Sequence, residues 1–575
     1  MAEHGLQSKK YTTWELLTAY WRSERRIFAY SMLAIVIAMT IFLVGMDVVF
    51  NYWYNYFYDA LQEYDKRGAV SLLLVFMFLA TVFIVVSVYR YYISQFFSLR
   101  WRQWMTDQFI NRWLEKRSYY YLENFENNTD NPDQRIQEDA GSIVTISLEL
   151  LVGLVGSVTT FFAFIYILWT LSGVIKIPLG HWGTLAVPGY LVWVAIIYSV
   201  VGTFLAFKIG RPLVALNFEQ QRREATFRFS AIDLRTHSEH VALYRGEADE
   251  NTILHKLFGR VLENWYQIIL RQKLLLWFTS GYSQMSVFLP LLVVLPNYFN
   301  KVFKLGGLMQ SLRAFSSIQD ALSFLVSSYT IIAQWRAVVG RLLTFLNHMA
   351  EVEEQAVLQN KFIYKKMPAN EIVVRDLSIA TPRGEPLLKD INETFHIGGH
   401  YLLKGTSGIG KSTFIRTIAG IWPFGGGDIQ LPDKQTVLYV PQKPYVPIGT
   451  LRDALLFPHD LSVEVSDEAI NEILDTCHLH NLNNRLHESA RWSELLSPGE
   501  LQRISFARIL LHKPEWIFLD ETTSSLDIEN EKYLYRVLKE KLPQSAVISV
   551  GHHTTTEAFH DQIIDMEKYS THLNS

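Results

Sequence analysis

The chain has 575 residues, 49% of them hydrophobic and 19% charged, with a net charge of −3 and a mean hydropathy of +0.09. It is too apolar for a disordered chain, too polar for a membrane domain alone and too weakly charged for a basic nucleic-acid binder, so two unlike parts and no nucleic-acid partner are expected. The one cysteine, Cys477, excludes an internal disulfide framework and a cysteine-rich zinc site, and reads as a buried small hydrophobe.

Residues 1–27 form a polar, aromatic-rich segment whose TTWELLTAYWRSERR stretch reads as an interfacial amphipathic helix or an ordinary surface helix. The first apolar run is too long, and its flank too polar, for a cleavable signal. Six runs are candidate membrane spans: Phe28–Phe50, Val70–Val88, Leu151–Leu171, Leu185–Phe207, Leu274–Tyr298 and Ile318–Trp335. The fifth carries prolines that can kink it. The sixth is the weakest, with Asp320 and several hydroxyls. Basic residues gather before the first span, between the second and third, and between the fourth and fifth. The other two loops hold only Lys66 with Arg67, and Lys176. The positive-inside rule then puts the N-terminus and the two long loops in the cytoplasm, and the soluble remainder needs the sixth crossing to return there. Residues 28–350 are thus expected to be a six-helix membrane domain. Glu149 and Asp320 are costly in lipid, so each either faces a cavity or partner or lies beyond the hydrocarbon.

Residues 351–369, beginning EVEEQAVLQNKF, read as a helical linker, and residues 370–575 as an α/β domain. There the run Gly405-Thr406-Ser407-Gly408-Ile409-Gly410-Lys411-Ser412-Thr413 carries the P-loop spacing, a glycine, four residues, then Gly-Lys-Ser. The apolar YLLKG precedes it and STFIRTIAG follows, the strand–loop–helix context the motif requires. Glycines let backbone N–H groups turn inward on phosphate oxygens, and the following helix adds its positive end. Lys411 is suited to β- and γ-phosphate charge, and Ser412 to Mg²⁺. Trp516-Ile-Phe-Leu-Asp520-Glu521 reads as a buried parallel strand ending in two acids. Asp520 is the candidate for the Mg²⁺ shell and Glu521 the candidate base for an attacking water. ATP and Mg²⁺ are the expected cofactors.

Between these motifs lies Leu496-Ser497-Pro498-Gly499-Glu500-Leu501-Gln502-Arg503. With the P-loop and the acidic strand end, it resembles the signature LSGGQ followed by QR of the ATP-binding cassette transporters, with Pro498 and Glu500 replacing a glycine and a glutamine. Tyr439-Val-Pro-Gln442 resembles the Q-loop, Ser524-Ser-Leu-Asp527 the D-loop and Ser549-Val-Gly-His552 the switch histidine, with His553 the neighbour not chosen. The stretch from Ala380 to Glu385 lacks the aromatic that often stacks on adenine, and Pro382 is the candidate to pack there instead.

The resemblance implies that Glu521, His552 and Lys411 are catalytic. It also implies that Gln442 touches nucleotide and Mg²⁺, and that Ser497, Gly499, Glu500 and Asp527 complete an ATP site held by another copy. That arrangement requires a homodimer. The finer match (TPRGEPLL, AGIWPFGGGDI, YVPQKPYVPIGTLRDALLFP, SPGELQR) is similar to the peroxisomal subfamily D transporters and their bacterial SbmA/BacA-like relatives. Asn131–Asp139 and Ser238–Glu247 resemble that branch in the two long loops, where contacts that couple the membrane domain to the cassettes are expected. The resemblance implies an ATP-hydrolysing half-transporter of the bacterial inner membrane, with the cassette and both termini cytoplasmic. Its solute is expected to be a hydrophilic or amphipathic molecule, such as a peptide or a cobalamin-like vitamin, taken up through the lipid bilayer. Export, fatty-acyl or lipid movement, and a non-transporting nucleotide sensor are the alternatives.

Overall fold

The computed structural model describes residues 10–125, 131–178, 184–368, 370–433, 436–458, 465–551 and 554–571. The chain divides into two compact units. A membrane unit comprises Lys9–Arg117 and Asn128–Met349; in the other, Ala350–Ser575 gathers in the short segment that follows Arg117.

In the membrane unit, helix α1 (Thr13–Thr18) opens on a capping box between Thr12 and Glu15. Tyr20 just beyond it is fully buried, stacked on Trp101 with ring centres 5.4 Å apart. Six helices among the described residues are long and apolar enough to cross a membrane. Helix α2 (Arg26–Gln62) carries the first expected span. A tight turn leads to Asp65, whose carboxylate accepts the Gly68 N–H and starts α3 (Lys66–Leu114), home of the second. Helix α4 (Ser118–Phe125) belongs to the other unit. Next, α5 (Pro132–Gln134) runs through a π-helical turn, Arg135–Asp139, into α6 (Ala140–Ser172), which carries the third span.

The fourth run departs from expectation at its start. Strands β1 (Val174–Pro178) and β2 (Thr184–Pro188) pair antiparallel, so Leu185–Pro188 is strand, and α7 (Tyr190–Thr236) begins only after Gly189. Gly189 has φ +64°, and a Cβ there would lie 2.4 Å from the Trp169 ring, so only glycine fits the join. The 47 residues of α7 extend about 70 Å, roughly twice a hydrocarbon core. After α8 (Ser238–Tyr244), α9 (Glu247–Phe299) returns beside α7 and stays helical through Pro290 and Pro296. The sixth span is two helices, α10 (Leu305–Ser327) and α11 (Tyr329–Gln359), parted at Ser328. Phe164, Leu168, Leu191, Phe315 and Ile318 form a buried core shared by α6, α7 and α10.

In the stretch expected as a helical linker, residues 351–369, α11 continues to Gln359, and Asn360–Met367 is strand β3 of the second unit. This strand pairs in parallel with β7 (Gly425–Pro432), in a four-stranded sheet ordered β3-β7-β4-β5, with β4 being Glu371–Ala380 and β5 Pro386–His396. A second sheet is wholly parallel, ordered β13-β6-β12-β11-β8. Its strands are β6 (His400–Lys404), β8 (Val437–Val440), β11 (Trp516–Asp520), β12 (Ala546–Val550) and β13 (Gln562–Asp565). Residues 516–519 are fully buried, as expected of a central parallel strand. A small pair, β9 (Gly449–Thr450) with β10 (Ser489–Ala490), lies in the helical part. That part contains α13 (Leu451–Leu455), α14 (Asp467–Thr476), α15 (Trp492–Leu495), α16 (Pro498–His512) and α17 (Ile528–Lys541), while α12 (Lys411–Ile418) follows β6. Cys477 is buried in this helical core, and burial pushes its thiol up to about 12.

Candidate nucleotide site

The site is built at the C-terminal ends of the parallel strands, where α/β sheets place their ligands. Strand β6 delivers the chain to Gly405, and three glycines turn it: Gly405, Gly408 and Gly410 have φ of 150°, 83° and 112°. A Cβ on Gly408 would meet nothing within 4 Å, so this side of the loop is open. Gly410 is the left-handed residue immediately before α12, and a Cβ there would press on Leu387 at 2.9 Å. Thr406, Ser407 and Gly408 are exposed, whereas Ile409 points into the core and offers only backbone to a ligand. Thr413 sits in the first turn of α12, whose free N–H groups face the loop.

Lys411 is folded back, its Nζ donating to the carbonyls of Gly405 (2.7 Å) and Thr406 (3.0 Å). Burial lowers the affinity of this amine for its proton, and Glu521, Asp520 and Glu567 oppose that. The Ser412 hydroxyl donates to Asp520 Oδ1 at 2.6 Å, joining α12 to the end of β11. Burial pushes the Asp520 carboxyl up, against the Ser412 bond and the nearby Arg416. Two hard oxygen donors thus converge at the mouth of the loop, a set that suits Mg²⁺. Next to them Gln442 Nε2 donates to Glu521 Oε2 at 2.7 Å, and Glu521 holds a left-handed φ of 48°. Lys411, Ser412, Gln442, Asp520 and Glu521 therefore lie together.

The signature residues form a separate group. Ser497 caps α16, Pro498 occupies its first turn, and the Glu500 carboxylate accepts from the Ser497 N–H (2.9 Å), while the Glu500 N–H donates to Ser497 Oγ (3.3 Å). These bonds explain the two departures from LSGGQ. Proline suits the first helical position, and glutamate at the third completes a capping box. The Ser497 N–H also draws the Glu500 carboxyl below the usual range. Gly499 lies close to the loop before α17, where a Cβ would come 3.3 Å from the Ser525 carbonyl. Gln502 ties the two segments, donating to Ser524 Oγ (3.1 Å) and accepting from the Ser525 N–H (2.9 Å). Asp527 is used as the cap of α17 and accepts the Asn530 N–H at 2.9 Å. Among the described residues no hydrogen bond joins Ser497, Gly499, Glu500 or Asp527 to the P-loop. His552 and His553 lie outside the described residues. Pro382 is exposed on the turn after β4.

Two features had no sequence signal. Glu567, from the far end of the chain, accepts the Thr406 N–H at 3.2 Å. Phe125 of α4 packs edge-on against Phe424 (4.8 Å) and Trp422 (5.4 Å), in the loop after α12. The Trp422 indole donates to the carbonyl of Ala380 at 2.9 Å. Within Asn131–Asp139, Arg135 and Asp139 are buried, and Asp139 accepts from Arg135 (2.7 Å) and from Arg341 (2.6 and 2.9 Å). In Ser238–Glu247, by contrast, Leu243 and Tyr244 are 75% and 85% exposed.

Residues 17–299 match the family described as ABC transporter transmembrane region 2, and residues 388–524 match the family described as ABC transporter. The chain is 36% identical to an uncharacterized ABC transporter ATP-binding protein of Haemophilus influenzae, over 96% of this chain and 91% of that one. It is 34% identical to the inner membrane ABC transporter ATP-binding protein YddA of Escherichia coli, over 96% of each. It is 27% identical to human ATP-binding cassette sub-family D member 3, over 75% and 69% respectively. Its fold is similar to that of a bacterial Atm1-family ABC exporter solved with ATP bound, with a TM-score of 0.69 at 17% identity over 95% and 94% of the two chains.

Proposed function

The chain belongs to the ABC transporters, as a membrane-spanning ATPase half-transporter related to subfamily D, and from this premise we propose that two copies form a homodimer which drives a solute into the cytoplasm across the bacterial inner membrane. The cassette and both termini are cytoplasmic in this reading, and the finer kinship is with the SbmA/BacA-like branch. The observation that carries it is the joining of Ser412 to Asp520 and of Gln442 to Glu521 at one strand edge.

When bound, Mg²⁺–ATP supplies the phosphoanhydride whose hydrolysis drives the cycle. Ser412, Asp520 and Gln442 are the residues that would hold the metal. The open P-loop would cradle phosphates with the N–H groups of residues 405–413, and Lys411 would leave its two carbonyls to meet phosphate charge. Glu521 orients the attacking water and takes its proton, held in place by Gln442; His552 supports the γ-phosphate side. Ser497, Gly499, Glu500 and Asp527 serve the nucleotide of the other copy, in keeping with their separation from the P-loop within one chain. Closing the cassettes around nucleotide favours one state of the membrane half, and hydrolysis releases it. The exposed Leu243 and Tyr244 and the Phe125 contact are the proposed relay points between the halves.

The solute is hydrophilic or amphipathic, of the peptide or cobalamin-like kind. The test is purified protein in lipid vesicles, with ATP hydrolysis and solute accumulation followed together. Stimulation of hydrolysis by an accumulated solute supports the reading, and accumulation on the cassette-distal side makes the protein an exporter.

A further inference from the structure

The segment after β13 lies against the P-loop and is fixed on both sides. Strand β13 pairs in parallel with β6, the strand that delivers the chain to Gly405. A short 3₁₀ turn, Met566–Tyr569, follows, and the Asp565 carboxylate opens it by accepting the Glu567 N–H at 3.0 Å. Met566 is fully buried. Beyond the turn the chain is stapled to β5. Tyr569 donates to Glu393 at 2.8 Å, Ser570 bridges to Leu388, and Thr571 Oγ1 donates to the Pro386 carbonyl at 2.6 Å. Glu567 is therefore presented to the P-loop from an anchored strap, with the core on one side and β5 on the other.

Its carboxylate accepts the Thr406 N–H at 3.2 Å, while Lys411 Nζ donates to the Gly405 carbonyl at 2.7 Å. That N–H and that carbonyl belong to one planar peptide group and point opposite ways. A cation and a carboxylate thus hold the two ends of one peptide dipole, each at the end that attracts it. The carbonyl is turned toward Lys411, and the N–H is turned away from it, toward the strap. The Glu567 side chain is close to the loop: a Cβ on Gly405 would come 3.6 Å from its Cγ. Its charge also reaches Lys411. Glu567 has no ion-pair partner among the described residues, and the neighbouring Lys404 is taken by Glu557 at 2.7 Å. An uncompensated negative charge therefore stands beside a loop suited to phosphate, where it opposes any polyphosphate that enters.

We propose that Glu567 is a positioning residue that latches the empty P-loop: it holds the Gly405–Thr406 peptide with its carbonyl toward Lys411 and weakens the grip on nucleotide. To meet phosphate, Lys411 leaves that carbonyl against the pull of Glu567, and the incoming phosphates meet a like charge. Both effects lower affinity for Mg–ATP and for Mg–ADP, so nucleotide exchanges readily between cycles. The chemical step, which belongs to Glu521, is left alone. The latch rests on the reading of this loop as the nucleotide site.

The experiment uses the full-length protein in lipid vesicles and measures displacement of trinitrophenyl-ATP by Mg–ATP and by Mg–ADP. Glu567→Gln, which loses the charge, and Glu567→Ala, which loses the charge and the acceptor, should each bind both nucleotides about threefold or more tightly. The gain should shrink between about 50 mM and about 500 mM salt, because a charge effect is screened. Glu567→Asp keeps the charge and should stay within about twofold of the unaltered protein. Single-turnover hydrolysis should also stay within about twofold in all three variants, since Glu521 and Gln442 are untouched. A merely structural role would lower the number of binding sites and leave the constants and their salt dependence where they were. Unchanged or weaker binding in both Glu567→Gln and Glu567→Ala overturns the latch while the nucleotide site stands, and so does equal tightening in Glu567→Asp. If the unaltered protein binds neither nucleotide, the nucleotide-site reading falls and takes the latch with it.

Discussion

Glu521 and Asp520 are adjacent in sequence but differ in surroundings. Asp520 is tied to Ser412, whereas Glu521 faces Gln442. Glu521→Gln removes the base and keeps the shape, so it should bind ATP while turnover falls about 100-fold or more, checked by filter binding beside phosphate release. Ser497 is a cap as well as a signature residue. Ser497→Ala should cost about 1 kcal/mol at the start of α16. Hydrogen exchange at the first amides of α16 would register that loss, and a Ser497→Asp variant should restore protection without restoring turnover. Most of this was legible in the sequence, because the P-loop glycines and the strand-end acids carry their own geometry. Glu567 was not: its bond to Thr406 spans 161 positions and arises in a short 3₁₀ turn that no periodicity marks.

At the scale of elements, α4 is the piece that sequence reasoning did not place. Ser118–Phe125 follows a membrane helix, yet Ser118 donates to Glu353 at 2.5 Å and Phe125 packs on Phe424. Phe125→Ala removes its edge-to-face contacts with Trp422 and Phe424, each about 0.5–1.5 kcal/mol. It should lower solute moved per ATP by about fivefold or more while hydrolysis continues, measured as the ratio of the two rates in vesicles. The remaining corrections share a cause. Leu185–Pro188 is as apolar as a span, but this proline-bounded stretch pairs with β1 before the helix begins. Asn360–Met367 looks like a polar linker because it edges its sheet, and of that strand only Phe362 is buried. Hydropathy records where a residue is comfortable and cannot tell which neighbour pairs with its backbone.

For the whole molecule, the near-neutral hydropathy resolves into apolar helices that carry a polar inner stripe, with Glu149 and Asp320 lining a cavity of about 810 Å³, and a cassette in which few charges, among them Lys411, Arg508 and Glu531, are buried. The cassette core also holds two imidazoles. Burial keeps His400 and His560 below the usual imidazole range; Lys539 acts in the same direction on both and His400 on His560, while Asp561 and backbone hydrogen bonds at Phe559 and Thr556 oppose. Both are favoured neutral in the fold, so the unfolded chain binds more protons once pH drops below about 6.5. Cassette stability should therefore be flat above that pH and fall progressively toward pH 5. Hydrogen exchange of β6 and β12 in the full-length protein would follow the fall, and His400→Gln should lessen the slope.

The one thiol of the chain sits sealed in the helical part of the cassette with its proton held to about 12. At neutral pH the folded protein is therefore silent to maleimide reagents. A cysteine placed at Ser94, Ser157 or Ser316 would be the single reactive group in an otherwise unaltered transporter. Accessibility along the cavity wall could then be read through the ATP cycle without first building a cysteine-free background, and the appearance of a second labelled site would report that the cassette itself had opened.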